Sequence, residues 1–343
     1  MRWWTRAFGG DARAPRDVDS ALRCALLAAL DRDLDRVERM LRHAARLDPD
    51  AVEPYQALAR LFRMRGEIGR AIRIHQNLLL RADVTTDDGV ALVADLAADF
   101  RQGGFLRRAI AAYGEVLAYR PRHRDALRAL VGLLADVREY PRAIEMERRL
   151  ARVERRDAAA GEARLRVEMA RAARAEGRSE DALRAVKKAL KKDRKSVDAW
   201  LVLGELEAER GRTRAALAAW ERVPRLDRRA GPRVYLQLAA TYAALGRARD
   251  YENFLRGLLE AHSDDAAARL ALARNLAARG DVEGAIGELR RELARNPDDL
   301  EARGVLGRLL LSERRDLDAT KEYGELLEVL DRQDRARSWE AVE

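Results

Sequence analysis

The sequence predicts an all-α protein, a solenoid of about nine stacked helix pairs, and three observations carry that reading. A short pattern built on a tight turn and an alanine recurs at a spacing near 34 residues. Ala, Leu and Arg dominate the composition, and these residues lose least on entering a helix. Val, Ile and Thr are too sparse for a large sheet, and only 8 prolines interrupt the 343 residues.

The elements follow in order. "RGEIGRAIRI" (65–74) is echoed by "GGFLRRAIAAY" (103–113), "REYPRAIEM" (138–146), "EGRSEDALRAV" (176–186), "RGRTRAALAAW" (210–220), "LGRARDYENF" (245–254) and "RGDVEGAIGEL" (279–289). Gly177, Gly211, Gly246 and Gly280 are spaced 34, 35 and 34, and each lets the chain turn sharply between two helices. Ala71, Ala109, Ala143, Ala182, Ala216, Ala285 and Ala319 sit five residues after the turn position, where a small side chain lets the two helices approach. Tyr251 takes that place in one copy. Pro49, Pro121 and Pro297 fall near repeat ends and are expected to start the next helix. Helix pairs begin near Val18, Val52, Val90, Arg124, Ala163, Val197, Pro232, Ala266 and Leu300. Inserts at 85–88 and 155–162 are expected as longer loops. Trp200, Leu203 and Gly204 take large, large and small positions of a first helix, and Trp220 the aromatic position of the second; both tryptophans read as core. A period near 34 is the signature of tetratricopeptide repeats, so the expected fold is a tetratricopeptide-repeat right-handed superhelix (α-solenoid) spanning 18–333. It is flanked by a basic and aromatic segment, 1–17, and a charged tail, 334–343.

Composition excludes several kinds of chemistry. Cys24 is the only cysteine, which rules out an intramolecular disulfide and a cysteine-based metal site. A reducing compartment fits. No run approaches the roughly 18–20 apolar residues of a membrane span, and "MRWWTRAFGG" lacks the apolar stretch of a signal peptide. His43, His75, His123 and His262 lie in different repeats without the spacing of a helical metal pair. His75 reads as structural or surface. No serine stands in a nucleophile elbow and no Gly-rich phosphate loop follows a strand. Catalytic residues, metal ligands and cofactors are therefore expected to be none, and the chain is not expected to be an enzyme.

Two surfaces are candidates for binding. First helices of stacked pairs line the inner face of a solenoid, where partners bind. The register places Gln56, Arg60, Arg63, Arg101, Gln102, Arg128, Arg171 and Arg174 there, with Leu201, Leu236 and Leu270 further along. Such a groove would hold an acidic, partly hydrophobic protein segment through charge-assisted bonds. The other surface is "KKALKKDRK" (187–195), which holds Lys187, Lys188, Lys191, Lys192 and Lys195, five of the six lysines. The formal net charge is +9, and a basic cluster of this kind gives an alternative reading as a binder of nucleic acid or an anionic membrane surface.

One stretch is more specific than the repeat. "LFRMRGEIGRAIRIHQNLL" (61–79) resembles the second repeat of the lipopolysaccharide assembly protein B (LapB, YciM) family. "LAADFRQGGFLRRAI" (96–110), "REYPRAIEMERRL" (138–150), "VKKALKKDRKSVDAWLVLG" (186–204) and "YLQLAATYAALGRARDYENFLRGLLE" (235–260) match in order, so the resemblance covers roughly residues 20–330. It implies an adaptor at the cytoplasmic face of the bacterial inner membrane, cooperating with the protease FtsH to limit the deacetylase LpxC. Members of that family also carry an N-terminal membrane anchor and a C-terminal rubredoxin-like metal domain, neither of which this sequence matches. The expected location is therefore cytoplasmic, with peripheral membrane contact.

Overall fold

The computed structural model of the chain describes residues 15–340, with side chains as far as Gln333. The aromatic part of the N-terminal segment lies outside the described residues. The described residues form 19 α-helices and one short 3-10 helix, with no strand among them. They make nine helix pairs: α1 (Val18–Leu30) with α2 (Leu34–Leu47), α3 (Val52–Met64) with α4 (Ile68–Leu79), α5 (Asp87–Gln102) with α6 (Leu106–Tyr119), and α7 (Arg124–Asp136) with α8 (Tyr140–Glu154). Next come α9 (Ala159–Ala175) with α10 (Ser179–Lys192), and α11 (Val197–Glu209) with α12 (Thr213–Trp220) and the short α13 (Arg222–Leu226). After the 3-10 turn Arg228–Arg233 follow α14 (Tyr235–Ala244) with α15 (Ala248–Ala261), α16 (Ala266–Ala278) with α17 (Val282–Arg295), and α18 (Leu300–Ser312) with α19 (Asp316–Glu340). The chain is all-α and built of tetratricopeptide hairpins. Contacts divide it into two compact units, residues 1–165 and 166–343, so that the eight inner-face candidates fall in separate bodies.

Each pair is made by the same local chemistry. The residue that ends the first helix of every pair has positive φ: Gly66, Gly104, Gly177, Gly211, Gly246 and Gly280 in six, and Arg32, Arg138 and Arg314 in the others. At Gly66 the reversal is closed by two backbone bonds, Gly66 N–H to Arg63 O at 3.1 Å and Glu67 N–H to Phe62 O at 2.8 Å. Aspartates begin many helices, as where Asp33, Asp265 and Asp299 each accept a bond of 2.9 Å from the N–H three residues on. The repeated alanines are core: Ala71, Ala109, Ala143, Ala182, Ala285 and Ala319 are fully covered. Where Tyr251 replaces alanine it is equally buried, and its hydroxyl donates to Tyr235 O at 2.9 Å. Burial pushes the Tyr251 phenol well above its ordinary range.

In unit 1 the apolar residues of the first two pairs form one cluster around Leu41, Leu58 and Phe62, and pairs three and four form another around Leu96, Phe100, Leu127 and Leu134. In unit 2 one cluster runs from Leu201 to Ala319. The same unit holds two clamps, each on a buried arginine. Arg269 donates to Glu288 and Glu292, each at 3.1 Å, and Arg303 donates to Glu322 at 3.0 Å and also to Glu325. Each arginine also reaches the carbonyl of the turn that leads into its own hairpin, Ser263 for Arg269 and Pro297 for Arg303.

Several expectations need correction. Pro49, Pro121 and Pro297 stand in the turns before the helices, not at their first residues. The 85–88 insert is not all loop, because the Thr86 hydroxyl accepts from Gly89 N–H and Asp87 and Asp88 form the first turn of α5, their charge favoured at a helix N-terminus. The loop at 155–162 ends at Ala158, and 159–162 are helical. At the seventh pair the start falls at Tyr235 rather than Pro232, which lies in the 3-10 turn. The backbone of 334–340 continues α19, and Trp339's side chain lies outside the described residues.

Candidate functional site

The second and third pairs build a wall from their first helices. Arg60 and Arg63, one turn apart on α3, both reach Asp95 on α5 at 3.2 Å. Gln102, at the end of α5, donates to Arg63 O at 3.2 Å, which sets the ends of the two helices side by side. Arg63 is held from beneath as well: its Nε lies 2.5 Å from Asp99 Oδ1, close enough for an ion pair but misaligned for a hydrogen bond. Asp99 is fully buried, and its other oxygen takes Nδ1 of His75, also fully buried, at 2.6 Å. His75 Nε2 has no partner. The line Arg63–Asp99–His75 therefore ties the wall to the second helix of its own pair, and His75 is a structural residue.

This arrangement sorts the candidates by what they can still do. Arg63 keeps only 18% of its side chain exposed and is committed to two carboxylates. Arg60 is 63% exposed and shares Asp95 with it. Arg101 is exposed and has no ion-pair partner among the described residues. Its charge is felt by the buried Tyr113, whose phenol burial raises while Arg101 and Arg63 pull it back. Gln56 is half-buried on α3. Arg128, on α7, is turned to Asp125 at 3.0 Å and to Glu154 at 2.6 Å.

Arg171 and Arg174 belong to unit 2. Arg171 meets Asp198 at 3.0 Å, and Arg233 meets the same carboxylate at 2.9 Å, so Asp198 ties its own pair to the pair before and to the 3-10 turn that follows. Burial opposes ionisation of Asp198, but the bonds from Arg233 and Arg171 outweigh it and hold the carboxyl below its usual range. Arg174 donates to Glu209 at 2.7 Å and to Glu205. Its burial disfavours the charge, and the two glutamates more than restore it. Most of the expected groove arginines already hold the carboxylates of neighbouring helices. The expected apolar groups are corrected, since Leu201 and Leu270 are core and of the three only Leu236 is exposed.

The lysine cluster occupies another surface. Lys187, Lys188, Lys191 and Lys192 are exposed on α10, opposite its buried Ala182, Leu183, Val186 and Leu190, and Lys195 is exposed in the turn beyond. Trp220 is buried core, whereas Trp200 is only half-buried and donates to Arg194 O at 2.9 Å.

Sequence reasoning missed Asp95, Asp99 and both arginine clamps. The clamps carry a signal: Arg269 with Glu288 and Arg303 with Glu322 repeat one separation, 19 residues, one period apart. Among the described residues no group of three or more His, Cys, Asp or Glu could hold a metal ion, and no helix is long and apolar enough to cross a membrane.

Hairpins of this kind, stacked on their neighbours, are the architecture of a protein-interaction scaffold. The tetratricopeptide repeat family model matches residues 167–234. Lipopolysaccharide assembly protein B of Escherichia coli strain K12 is 27% identical over 273 residues, covering 80% of this chain and 69% of its own. The Haemophilus influenzae protein of that name is 33% identical over 96 residues, or 28% of this chain and 24% of its own. A solved tetratricopeptide repeat protein from Parabacteroides merdae, 14% identical, covers 86% of this chain and 98% of its own at a TM-score of 0.42. The chain carries a match to the tetratricopeptide repeat model and resembles lipopolysaccharide assembly protein B.

Proposed function

We propose that this chain is a non-enzymatic adaptor in the control of lipopolysaccharide synthesis, seating an acidic, partly apolar segment of a partner protein on the α3–α5 wall. Its partners are LpxC as the captured chain and FtsH as the protease that receives it. Similarity to lipopolysaccharide assembly protein B over 80% of the chain supports the pathway. The observation that carries the binding mode is the division of labour on the wall. Arg63 is fixed by buried Asp99, while Arg60 and Arg101 present exposed guanidinium groups. A partner carboxylate can draw Arg60 away from Asp95 at a cost of about 1 kcal/mol or less, because the pair is partly solvated. Arg101 has no pair to break. Both can then form two-pronged bonds to carboxylates, which fix the direction of an extended segment as well as its charge.

The test is binding of LpxC and of FtsH from the same organism to the purified chain, by interferometry. Arg60→Glu/Arg101→Glu is expected to weaken capture by about tenfold or more, the cost of replacing two attractive charges by repulsive ones. Unchanged capture by that variant removes the wall. Failure of the unaltered chain to bind either protein removes the pathway assignment.

A further inference from the structure

A second surface lies in unit 2, away from the wall just described. We infer that the ends of α10 and α13, with the turns that follow them, form a cationic edge that docks on an anionic lipid bilayer.

In unit 2 Arg171, Arg174, Arg210, Arg233, Arg269 and Arg303 are all bound by carboxylates. The edge instead gathers cations outside such pairs. Among the described residues Lys187, Lys188 and Lys191, at i, i+1 and i+4 on the exposed face of α10, have no ion-pair partner, and neither do Arg194 and Lys195 in the next turn. The carboxylates nearby are turned to other duties. Asp193 accepts from the N–H of Lys195 at 2.8 Å, Asp227 accepts from the N–H of Arg229 at 2.9 Å, and Glu221 takes the hydroxyl of Tyr242. These acids hold turns and a tyrosine, and the cations stay uncompensated.

Trp200 makes the two helix ends one surface. Its indole N–H is bonded to Arg194 O at 2.9 Å, and the guanidinium of Arg222, at the start of α13, lies 5.9 Å from its ring centre. The turn after α10 and the start of α13 are thus joined through one side chain, and the exposed Arg225 and Arg229 extend the edge.

The chemistry of the edge favours phosphate headgroups over nucleic acid. Single-stranded nucleic acid is held by open aromatic faces on which bases stack. Here Arg222 lies over Trp200, and Arg225 lies 5.0 Å from the ring centre of Phe254. Lysine is a mobile, compact charge that needs no fixed approach angle, which suits a plane of headgroups. The lysines also project from the outside of a helix whose opposite face is core, so a broad surface can reach all of them together.

The experiment is flotation of the full chain with vesicles of phosphatidylcholine containing about one-third phosphatidylglycerol, compared with phosphatidylcholine alone. Binding is expected only to the anionic vesicles, and to fall steeply as salt is raised from about 0.1 M towards 1 M. Lys187→Glu/Lys188→Glu/Lys191→Glu is expected to lower the partition coefficient about a hundredfold. Arg39→Glu/Arg73→Glu/Arg107→Glu makes the same charge change at exposed sites of unit 1 and is expected to lower it less than about threefold. All six positions are exposed, and circular dichroism checks that both variants keep their helices. Equal losses in the two variants would reduce the effect to net charge and overturn the proposal. So would no vesicle binding at all, or capture of duplex DNA or polyglutamate by a chain that ignores the vesicles. LpxC and FtsH binding is read separately, so the adaptor reading stands or falls independently.

Discussion

Arg314 closes the last hairpin with φ of 55°, a backbone setting that six other pairs give to glycine. For a side chain with a Cβ that setting costs roughly 1 kcal/mol, and glycine removes the cost while adding some freedom to the unfolded chain. Arg314 is exposed and makes no ion pair that its removal would break. Arg314→Gly is therefore expected to raise the unfolding free energy by about 0.5 kcal/mol, read as a higher urea midpoint at unchanged slope. A lower midpoint would mean that the arginine side chain contributes more than the strain it bears. At this scale the sequence is legible where chemistry is local. Gly177, Gly211, Gly246 and Gly280 and the buried alanines can be placed from their spacing. Asp99 cannot, because a carboxylate in "LAADFRQ" looks like any solvated acid until α3 and α4 bring Arg63 and His75 to it.

Between elements, ion pairs act as the rungs that join successive hairpins. Asp198 is the clearest, since it takes Arg171 from the pair before and Arg233 from the turn that leads into the pair after. Its carboxyl is held below the ordinary value, so its contribution is present above the unfolded carboxylate pKa of about 3.9 and fades as pH falls through the folded value. Asp198→Asn should lower the melting temperature slightly at pH 7, by an amount worth about 1 kcal/mol or less because the group is half exposed. The gap between variant and parent should narrow as the pH falls below about 3.9 and the folded carboxylate takes up its proton. A gap that stayed constant with pH would place the effect in packing rather than charge. Element starts read well from the period wherever the pattern is regular. They shift where local chemistry intervenes, as at Thr86, which caps α5 inside the expected insert, and at Pro232, which occupies a 3-10 turn.

Across the molecule, each hairpin leans chiefly on its neighbours, so damage is expected to stay near its source. Gly204 offers the test, because a Cβ there would overlap the Trp220 indole. Gly204→Ala is expected to cost about 1–3 kcal/mol and to raise amide exchange in α11 to α14 while leaving α1 to α6 at parental rates. Uniform acceleration along the chain would mean that the two units unfold as one. The repeat class was readable because a period of 34 leaves its mark on every hairpin. The division into two units was not, since no break in composition accompanies it: it falls inside α9, a continuous helix. The self-neutralised wall escaped notice for a related reason, since arginines are visible in a sequence and their partners, some 35 residues away, are not. The clamps at Arg269 and Arg303 add a different property. Each closes within one hairpin and the turn that introduces it, so a hairpin moved together with that turn would carry its clamp intact when this scaffold is re-engineered.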